Sequence, residues 1–290
     1  MATTRHLVIG YAWRDGAAVL RLLQLGGETW ELDLEGHLSF EVTQERRCVG
    51  HFGHGGPECC PDGAEPLSTQ CGACIRRDLF RPCMICNGFR CPTLAPTQHR
   101  RCTATHHLYL ACFGAEDLKV GTAANLRRDA RLIEQGPLAG ARVAQGPGPQ
   151  IKQMEHVLSH AGFTEAMRRS RKLALMLGGM TVAEAAARIR EAANALPDIL
   201  PDAYHQWLHA PHFVELPEVA LRSRGMSATQ MPIQPGRMLD GEVVGAVGHV
   251  LYLSQHDATV AVDLGALKAR VIDLEPVGPR KRPEVQLGLF

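Results

Sequence analysis

The cysteines are the residues of this chain whose type and spacing best suit chemistry, and all of them fall within one stretch. They lie between positions 48 and 112, and none occurs elsewhere. Two C-x-x-C pairs stand in this stretch, Cys71–Cys74 and Cys83–Cys86. Such pairs present thiolates to a tetrahedral ion, and zinc best suits sulfur ligands in a structural role. The sequence therefore predicts a zinc module in which the two pairs can share one ion.

Further cysteines flank the two pairs and allow one or two zinc ions. Cys48, Cys91 and Cys102 are candidate ligands together with either Cys59 or Cys60, of which Cys60 is preferred. The alternative ligands are the nearby histidines His51, His54 and His99. Sequential and interleaved pairing both stay open, and an iron–sulfur cluster is a second interpretation. We expect a structural metal, because the stretch has few large apolar residues with which to build a core.

Arginines accompany the cysteines, namely Arg76, Arg77, Arg81, Arg90, Arg100 and Arg101. They predict a local basic surface suited to phosphates, although an ordinary solvated surface has the same composition. The net charge of the whole chain is only +1, which argues against a general nucleic-acid coat protein. Any contact with nucleic acid is therefore expected to be local.

The spacing of apolar residues along the chain predicts the strands and helices that position these candidate residues. Short apolar runs alternate with turns over residues 6–42, which indicates an antiparallel sheet. HHLYLACFGAEDLKVG predicts two strands around a turn at 114–117, and AANLRRDARLIEQG predicts a helix that stops at Gly136. The run IKQMEHVLSHA predicts another helix.

Towards the C-terminus, Thr181 and Glu184 form a capping-box pattern that opens a helix, which Pro197 and Pro201 should end. The fold class we expect is α+β: a small antiparallel sheet with flanking helices, a cysteine-rich zinc module and flanking β-rich segments. The predicted segments are an N-terminal β segment (1–45), a cysteine-rich module (46–104), a nuclease-like core (105–165), a helical segment (166–210), a β-rich small barrel or sheet (211–276) and a flexible tail (277–290).

The central segment resembles the GIY-YIG nuclease superfamily over about residues 105–162. Tyr109 matches the tyrosine of the first strand motif, Val120-Gly121 match the end of the second, and Glu155 matches a glutamate on a later helix. The resemblance implies a small three-stranded sheet flanked by helices. It also implies that Glu155 holds a catalytic Mg²⁺ or Mn²⁺ ion. The candidates for the general base are Tyr109 and a metal-bound water on Glu155.

The positions that follow depart in part from that superfamily. Lys119 stands in place of its second tyrosine, and we interpret this lysine as a phosphate contact. The superfamily's phosphate-binding arginine lies on the next helix, where Arg127, Arg128 and Arg131 are candidates and Asp129 occupies the usual position. Over about residues 48–165 the cysteine module is followed by HLYLACFG, LKVG, EQG and a helical glutamate. This longer pattern is similar to a prokaryotic family catalogued as a domain of unknown function, which implies an architecture and no activity.

The last five residues, QLGLF, resemble the short peptide by which bacterial DNA polymerases and repair proteins bind the sliding clamp. Gln286, Leu287, Leu289 and Phe290 match that motif, and Gly288 fills its tolerant third position. The preceding polar, proline-containing residues are predicted to be a tether. The alternative is that these apolar side chains pack against the protein's own surface.

These features together predict a clamp-associated, Mg²⁺- or Mn²⁺-dependent endonuclease that acts on branched, nicked or damaged DNA. The alternatives are a non-catalytic zinc-containing DNA-binding adaptor on the same fold, an RNA-directed protein that acts on tRNA, and a zinc-stabilised interaction scaffold. No apolar stretch of about 20 residues and no signal-peptide pattern occurs, so we expect no membrane segment and a cytoplasmic location.

Overall fold

A computed structural model describes the chain over residues 4–91, 96–115, 118–168, 171–172, 179–256 and 258–274. Strands predominate and helices are fewer, so the predicted α+β class is confirmed. The described residues form two compact units. The first unit runs up to Leu79 and resumes at Pro217, and the second unit runs from Phe80 to Leu216.

The strands are β1 (Thr4–Arg14), β2 (Ala17–Gln24), β3 (Thr29–Asp33), β4 (His37–Arg46), β5 (His51–Phe52), β6 (Pro57–Glu58), β7 (Thr105–Cys112), β8 (Leu118–Ala124), β9 (Ala139–Pro147), β10 (Leu208–Phe213), β11 (Thr229–Met231), β12 (Arg237–Val247), β13 (Val250–Gln255), β14 (Ala258–Asp263) and β15 (Arg270–Leu274). The α-helices are α1 (Gly72–Arg77), α2 (Arg81–Met84), α3 (Pro96–Thr103), α4 (Ala130–Ile133), α5 (Gly148–His160), α6 (Val182–Ile199), α7 (Glu218–Arg222) and α8 (Leu264–Leu267). Two 3₁₀ turns lie at Asn125–Arg127 and Asp202–Trp207. No helix among the described residues is both long enough and apolar enough to cross a membrane.

The first unit is built on a nine-stranded sheet in the order β11-β14-β13-β12-β4-β15-β1-β2-β3. This corrects the prediction that 1–45 and 211–276 are separate β segments, because β4 pairs with both β12 and β15. Phe40 lies opposite Leu239 on one side and Leu274 on the other. All three side chains are buried, so pairing these strands completes one apolar core and protects the edges of β1 and β4.

The predicted cysteine-rich module at 46–104 is likewise not one body. Its first part, with β5, β6 and α1, belongs to the first unit, whereas α2 and α3 belong to the second. The boundary falls between Leu79 and Phe80, and therefore between the two C-x-x-C pairs.

The second unit contains a four-stranded sheet in the order β10-β9-β7-β8, so β7 lies in the interior of the sheet. The predicted hairpin is confirmed: β7 and β8 are antiparallel neighbours, and Tyr109 lies opposite Gly121. Leu108 and Leu110 of β7 belong to the core that α5 and α6 cover. By strand alternation, Tyr109 and Lys119 face away from that core.

The helices of this unit differ from the predictions in two places. The run from Asn125 forms only a 3₁₀ turn and the short α4, before Gly136 adopts the positive φ of 67° that ends it as predicted. The capping box of Thr181 and Glu184 is confirmed at the start of α6. Pro197 does not end that helix, because it lies in the last turn, where its missing N–H costs only one backbone hydrogen bond. α6 packs into the core of the second unit and so is not a separate segment.

Candidate functional site

Four cysteines of the first unit meet in one place. The Sγ atoms of Cys48, Cys60, Cys71 and Cys74, here called the first thiol set, all lie within 4.8 Å of one another. This set can hold a metal ion such as zinc, whose tetrahedral geometry and preference for sulfur it fits. The prediction that both C-x-x-C pairs share one ion is corrected, since Cys71–Cys74 is completed by Cys48 and Cys60.

Backbone N–H groups point at the sulfurs of the first thiol set. Cys71 precedes α1, and its Sγ accepts a hydrogen bond from the Cys74 N–H at 3.5 Å. Cys48 Sγ accepts from the N–H groups of Cys71 at 3.1 Å and Gly50 at 3.4 Å. Such donors favour the thiolate form that a metal requires.

The thiol groups of this set differ in acidity. The hydrogen bond from the Cys74 N–H is the main reason that the pKa of Cys71 falls to about 7. Burial raises the pKa of Cys48 and of Cys74. Cys71 is therefore more readily deprotonated than Cys48 and Cys74.

The hydrophobic core around the first thiol set is too small to hold the segment together. Its buried members are the cysteines themselves, and the apolar residues packed against them include only Ala64 and Ala73 besides Cys60. Cys59, the alternative to Cys60, is exposed. A metal ion bound by four sulfurs would supply the cross-link that apolar packing does not.

The other cysteines predicted as ligands, Cys83, Cys86, Cys91 and Cys102, lie in the second unit and are here called the second thiol set. Exposed arginines surround them in sequence: Arg81, Arg90, Arg100 and Arg101 in the second unit. Arg76 and Arg77 are also exposed and end α1 in the first unit. The predicted basic residues are thus at the surface, where phosphates can reach them.

The hairpin of the second unit places Tyr109 in a buried, hydrogen-bonded position. Its side chain covers Gly121, where any Cβ would collide with the phenol oxygen. Gln135 Nε2 donates a hydrogen bond to Tyr109 Oη at 2.6 Å. Tyr109 is only 2% exposed, and burial raises the pKa of its hydroxyl despite the nearby Arg131 and Gln135.

Lys119 lies on β8 and is also largely buried. Its Nζ donates to the carbonyl oxygens of Val120, at 3.3 Å, and of Glu165. Burial lowers the pKa of Lys119, and the charge of Glu155 partly opposes that effect. Glu155 and Arg131 are thus each close enough to Lys119 to affect its pKa, in opposite directions.

Glu155 is half-buried on α5, beside the outer strand β8. Thr122 Oγ1 donates to its carboxylate at 3.4 Å. Burial is the main reason that the pKa of Glu155 is raised, and the charge of Glu165 adds to it, whereas Lys152 and Lys119 oppose it. A carboxylate in this setting is stabilised by any additional positive charge that approaches it.

The three candidate arginines have different surroundings. Arg127 donates to both oxygens of Glu134 at 2.5 Å. Arg128 contacts Asn125 and Asp129, each at 3.4 Å, and is exposed. Among the three, Arg131 is the one that shares a hydrogen-bond partner with Tyr109, because Gln135 Nε2 lies 2.6 Å from Tyr109 Oη and 3.3 Å from the carbonyl oxygen of Arg131. The structure therefore groups Tyr109, Lys119, Arg131 and Glu155, and leaves the other two arginines outside.

Sequence reasoning missed Gln135 and Lys172, which belong to the same group. Lys172 Nζ donates to Gln135 Oε1 at 3.1 Å, and Gln135 in turn donates to Tyr109. Burial lowers the pKa of Lys172 to about 7. Gln135 lies in the EQG segment of the longer family pattern, which assigned it no role, and Lys172 belongs to no motif.

Gln286, Leu287, Leu289 and Phe290, which the sequence predicts to bind a sliding clamp, lie outside the described residues. A scan against protein-family models, a search of curated proteins and a search of solved structures each found no match.

Proposed function

We propose that the chain is a divalent-metal-dependent endonuclease for branched, nicked or damaged DNA, and that a sliding clamp delivers it. The observation that carries the proposal is the grouping of Tyr109, Lys119, Arg131 and Glu155 around the β7–β8 hairpin. Phosphodiester hydrolysis needs a base, a positive group for the transition-state charge and a carboxylate that can hold a cation. These four residues supply all three kinds of group.

Glu155 is the residue we assign to a Mg²⁺ or Mn²⁺ ion. Its carboxylate and the Thr122 hydroxyl are hard oxygen donors, which these ions prefer. Mg²⁺ commonly uses one or two carboxylates and leaves its other positions to water and phosphate, so a single half-buried glutamate fits. When bound, the cation would neutralise charge that develops on the leaving oxygen.

The other three residues act on the phosphate and the water. Arg131 is exposed and can reach a phosphate from solvent, where it would stabilise the transition state. We assign Lys119 to the phosphate as well, through its amine. Tyr109 takes the role of base, and Gln135 holds its oxygen in place. Because burial raises the pKa of Tyr109, the phenol is protonated at neutral pH, and base catalysis by it would strengthen as the pH rises.

The exposed arginines beside the second thiol set support a DNA substrate. Arg81, Arg90, Arg100 and Arg101 all lie at the surface of the unit that carries the hairpin. A net charge of only +1 gives the chain little general attraction for DNA. Tethering to a clamp through residues 286–290 would raise the local concentration of the protein at DNA, which its small net charge does not do.

Cleavage of branched and nicked duplexes with Mg²⁺ or Mn²⁺ tests the proposal. Glu155→Gln keeps the shape of the side chain and removes its charge, and we expect it to cut at least roughly 100-fold more slowly than wild type. Glu191→Gln is the matched control, because Glu191 is exposed on α6 of the same unit. Equal cutting by wild type and Glu155→Gln would contradict the assignment.

A second candidate is a non-catalytic DNA-binding adaptor, and the burial of the hairpin residues favours it. Tyr109 is 2% exposed, and the Lys119 amine is occupied by two backbone carbonyls, so both can serve packing alone. An adaptor binds branched DNA without turnover under any metal condition. Binding of RNA in preference to DNA would instead favour the RNA-directed alternative.

A further inference from the structure

We propose that the second thiol set, Cys83, Cys86, Cys91 and Cys102, binds its own tetrahedral metal ion of the zinc class, and that this ion fixes helix α5. The ion would be distinct from the one assigned to the first thiol set, because the two sets belong to different units. This inference is independent of the proposed nuclease activity.

The Cys83–Cys86 pair has the local geometry of a metal-binding turn. Cys83 lies in α2 and Cys86 directly follows that helix. The Gly88 N–H donates to Cys86 Sγ at 3.3 Å, as in the first thiol set, where backbone N–H groups also donate to sulfur. Gly88 has a φ of 83°, which favours glycine, and a side chain there would collide with the carbonyl of Pro149.

Helix α5 holds this turn through two of its side chains. Lys152 Nζ donates to the carbonyl oxygens of Cys83 at 3.0 Å and Cys86 at 3.3 Å. Gln153 Nε2 donates to the carbonyl oxygen of Gly88 at 2.9 Å. The amine therefore lies directly over the turn and near sulfurs that would become negative when deprotonated.

The fourth cysteine reaches the same helix from the other direction. Cys102 lies near the end of α3, which packs against α5. The Gly148 N–H donates to the carbonyl of Ala104 at 3.2 Å, and a side chain on Gly148 would collide with the carbonyl of Cys102. Cys102 therefore lies beside the start of α5, and Lys152, one turn further along the same helix, holds the carbonyls of Cys83 and Cys86.

Apolar packing does not hold this segment in place. Met84, Ile85 and Phe89 are 66%, 84% and 53% exposed, and α2 has no buried residue. A short segment that buries so little needs another cross-link, and a metal held by thiolates is the one that its cysteines can supply. No three sulfurs of the second thiol set, all of which belong to described residues, lie within 4.8 Å of one another, so binding an ion requires these cysteines to move closer together.

Zinc content measured on the full chain tests the inference. We expect about two zinc ions per chain in wild type, and about one in Cys91→Ser or Cys102→Ser. Cys91 is exposed, so its substitution does not disturb a packed core. Cys60→Ser should also retain about one ion, and Cys59→Ser, which lies outside both sets, should retain about two.

Hydrogen exchange in α5 provides a second readout. Exchange at residues 149–156 should quicken in Cys91→Ser and Cys102→Ser, but not in Cys60→Ser, because only the second ion holds this helix. About one ion in wild type, or about two in Cys102→Ser, would overturn the inference. Unchanged exchange in both second-set variants would overturn the claim that the ion fixes α5.

Discussion

At the scale of residues, the arginines that follow β8 have roles set by their partners. The Arg127 and Glu134 side chains are only 12% and 10% exposed and neutralise each other, so Arg127 is structural. Arg128 is exposed beside Asp129 and lies apart from Tyr109. Arg131 is exposed and lies near both Tyr109 and Lys119. A phosphate at the hairpin would therefore meet Arg131 first.

Arg131→Ala should lower the rate of DNA cleavage by roughly 100-fold, because it removes the group that stabilises charge in the transition state. Arg128→Ala is the matched control and should cut nearly as fast as wild type, since Arg128 lies outside the grouped residues. Single-turnover cleavage at saturating protein separates this effect from a loss of binding. An equal loss of rate in both variants would show that these arginines only attract DNA.

Lys172 gives the second unit a pH-dependent stability. Its pKa is about 7 in the folded chain because of burial, against an ordinary value of about 10.5. Between these two values the unfolded chain binds more protons than the folded chain, so the free energy of unfolding rises with pH from about 7 to about 10.5. Below about pH 7 the Lys172 amine is charged in both the folded and the unfolded chain, so folding carries the full free-energy cost of burying that charge.

Lys172→Met should flatten that rise, because methionine fills the same space without a charge. Urea unfolding at about pH 6.5 and about pH 9 gives the free energy of unfolding of each protein. The increase between the two pH values is then compared between wild type and variant. A rise in Lys172→Met as steep as that of wild type would show that other groups cause it.

Tyr109 and Glu155 were predictable only because their order along the chain resembles a known motif. Gln135 and Lys172 complete their surroundings but were not predictable, since a hydrogen bond between side chains distant in sequence leaves no local pattern. The sequence allowed either Cys59 or Cys60, with Cys60 preferred. The structure supports Cys60, because its sulfur lies with those of Cys48, Cys71 and Cys74.

At the scale of elements, sequence patterns correctly predicted the turns and helix ends that are determined by interactions between residues close in sequence. The β7–β8 hairpin, the end at Gly136 and the capping box of α6 all follow from turn and cap chemistry. The helix expected from Asn125 is reduced to a 3₁₀ turn and the short α4, and the Arg127–Glu134 ion pair connects the two parts. Intrinsic helix propensity is a weak preference that the rest of the fold can override.

Metal removal should loosen the segment around the first thiol set more than the sheet beside it. The segment has almost no apolar core besides the cysteines, whereas β4 is fixed by strands on both sides. Hydrogen exchange before and after treatment with a chelator measures this. We expect faster exchange at residues 48–79 and little change in β1 to β4. Unchanged exchange at 48–79 would show that the fold of this segment needs no metal.

At the scale of the whole molecule, the largest surprise is the nine-stranded sheet that joins the two ends of the described chain. Each strand was visible as a pattern, but the pairing of β4 with β12 and β15 was not. Strand propensity is a property of a single segment. Which strands pair depends instead on which apolar faces fit together once the chain between them has folded. For the same reason, the sequence did not predict that the cysteines divide between two units.

The QLGLF segment should bind a bacterial sliding clamp, because its leucine and phenylalanine side chains suit an apolar pocket. Changing Leu289 and Phe290 together to alanine should abolish binding of the full-length protein, measured by surface plasmon resonance. Val285→Ala is the matched control, since Val285 precedes the motif. Binding that survives the double change, or is absent in wild type, would contradict a docking role.

The central claim, metal-dependent cleavage of DNA at the hairpin site, is tested most directly by one comparison. Wild type and Glu155→Gln are incubated with a branched duplex and Mg²⁺ or Mn²⁺, and product is measured over time. Wild type should cut only with the cation, and Glu155→Gln should cut at least roughly 100-fold more slowly. No cutting by wild type with either ion, or equal cutting by both proteins, would contradict the claim.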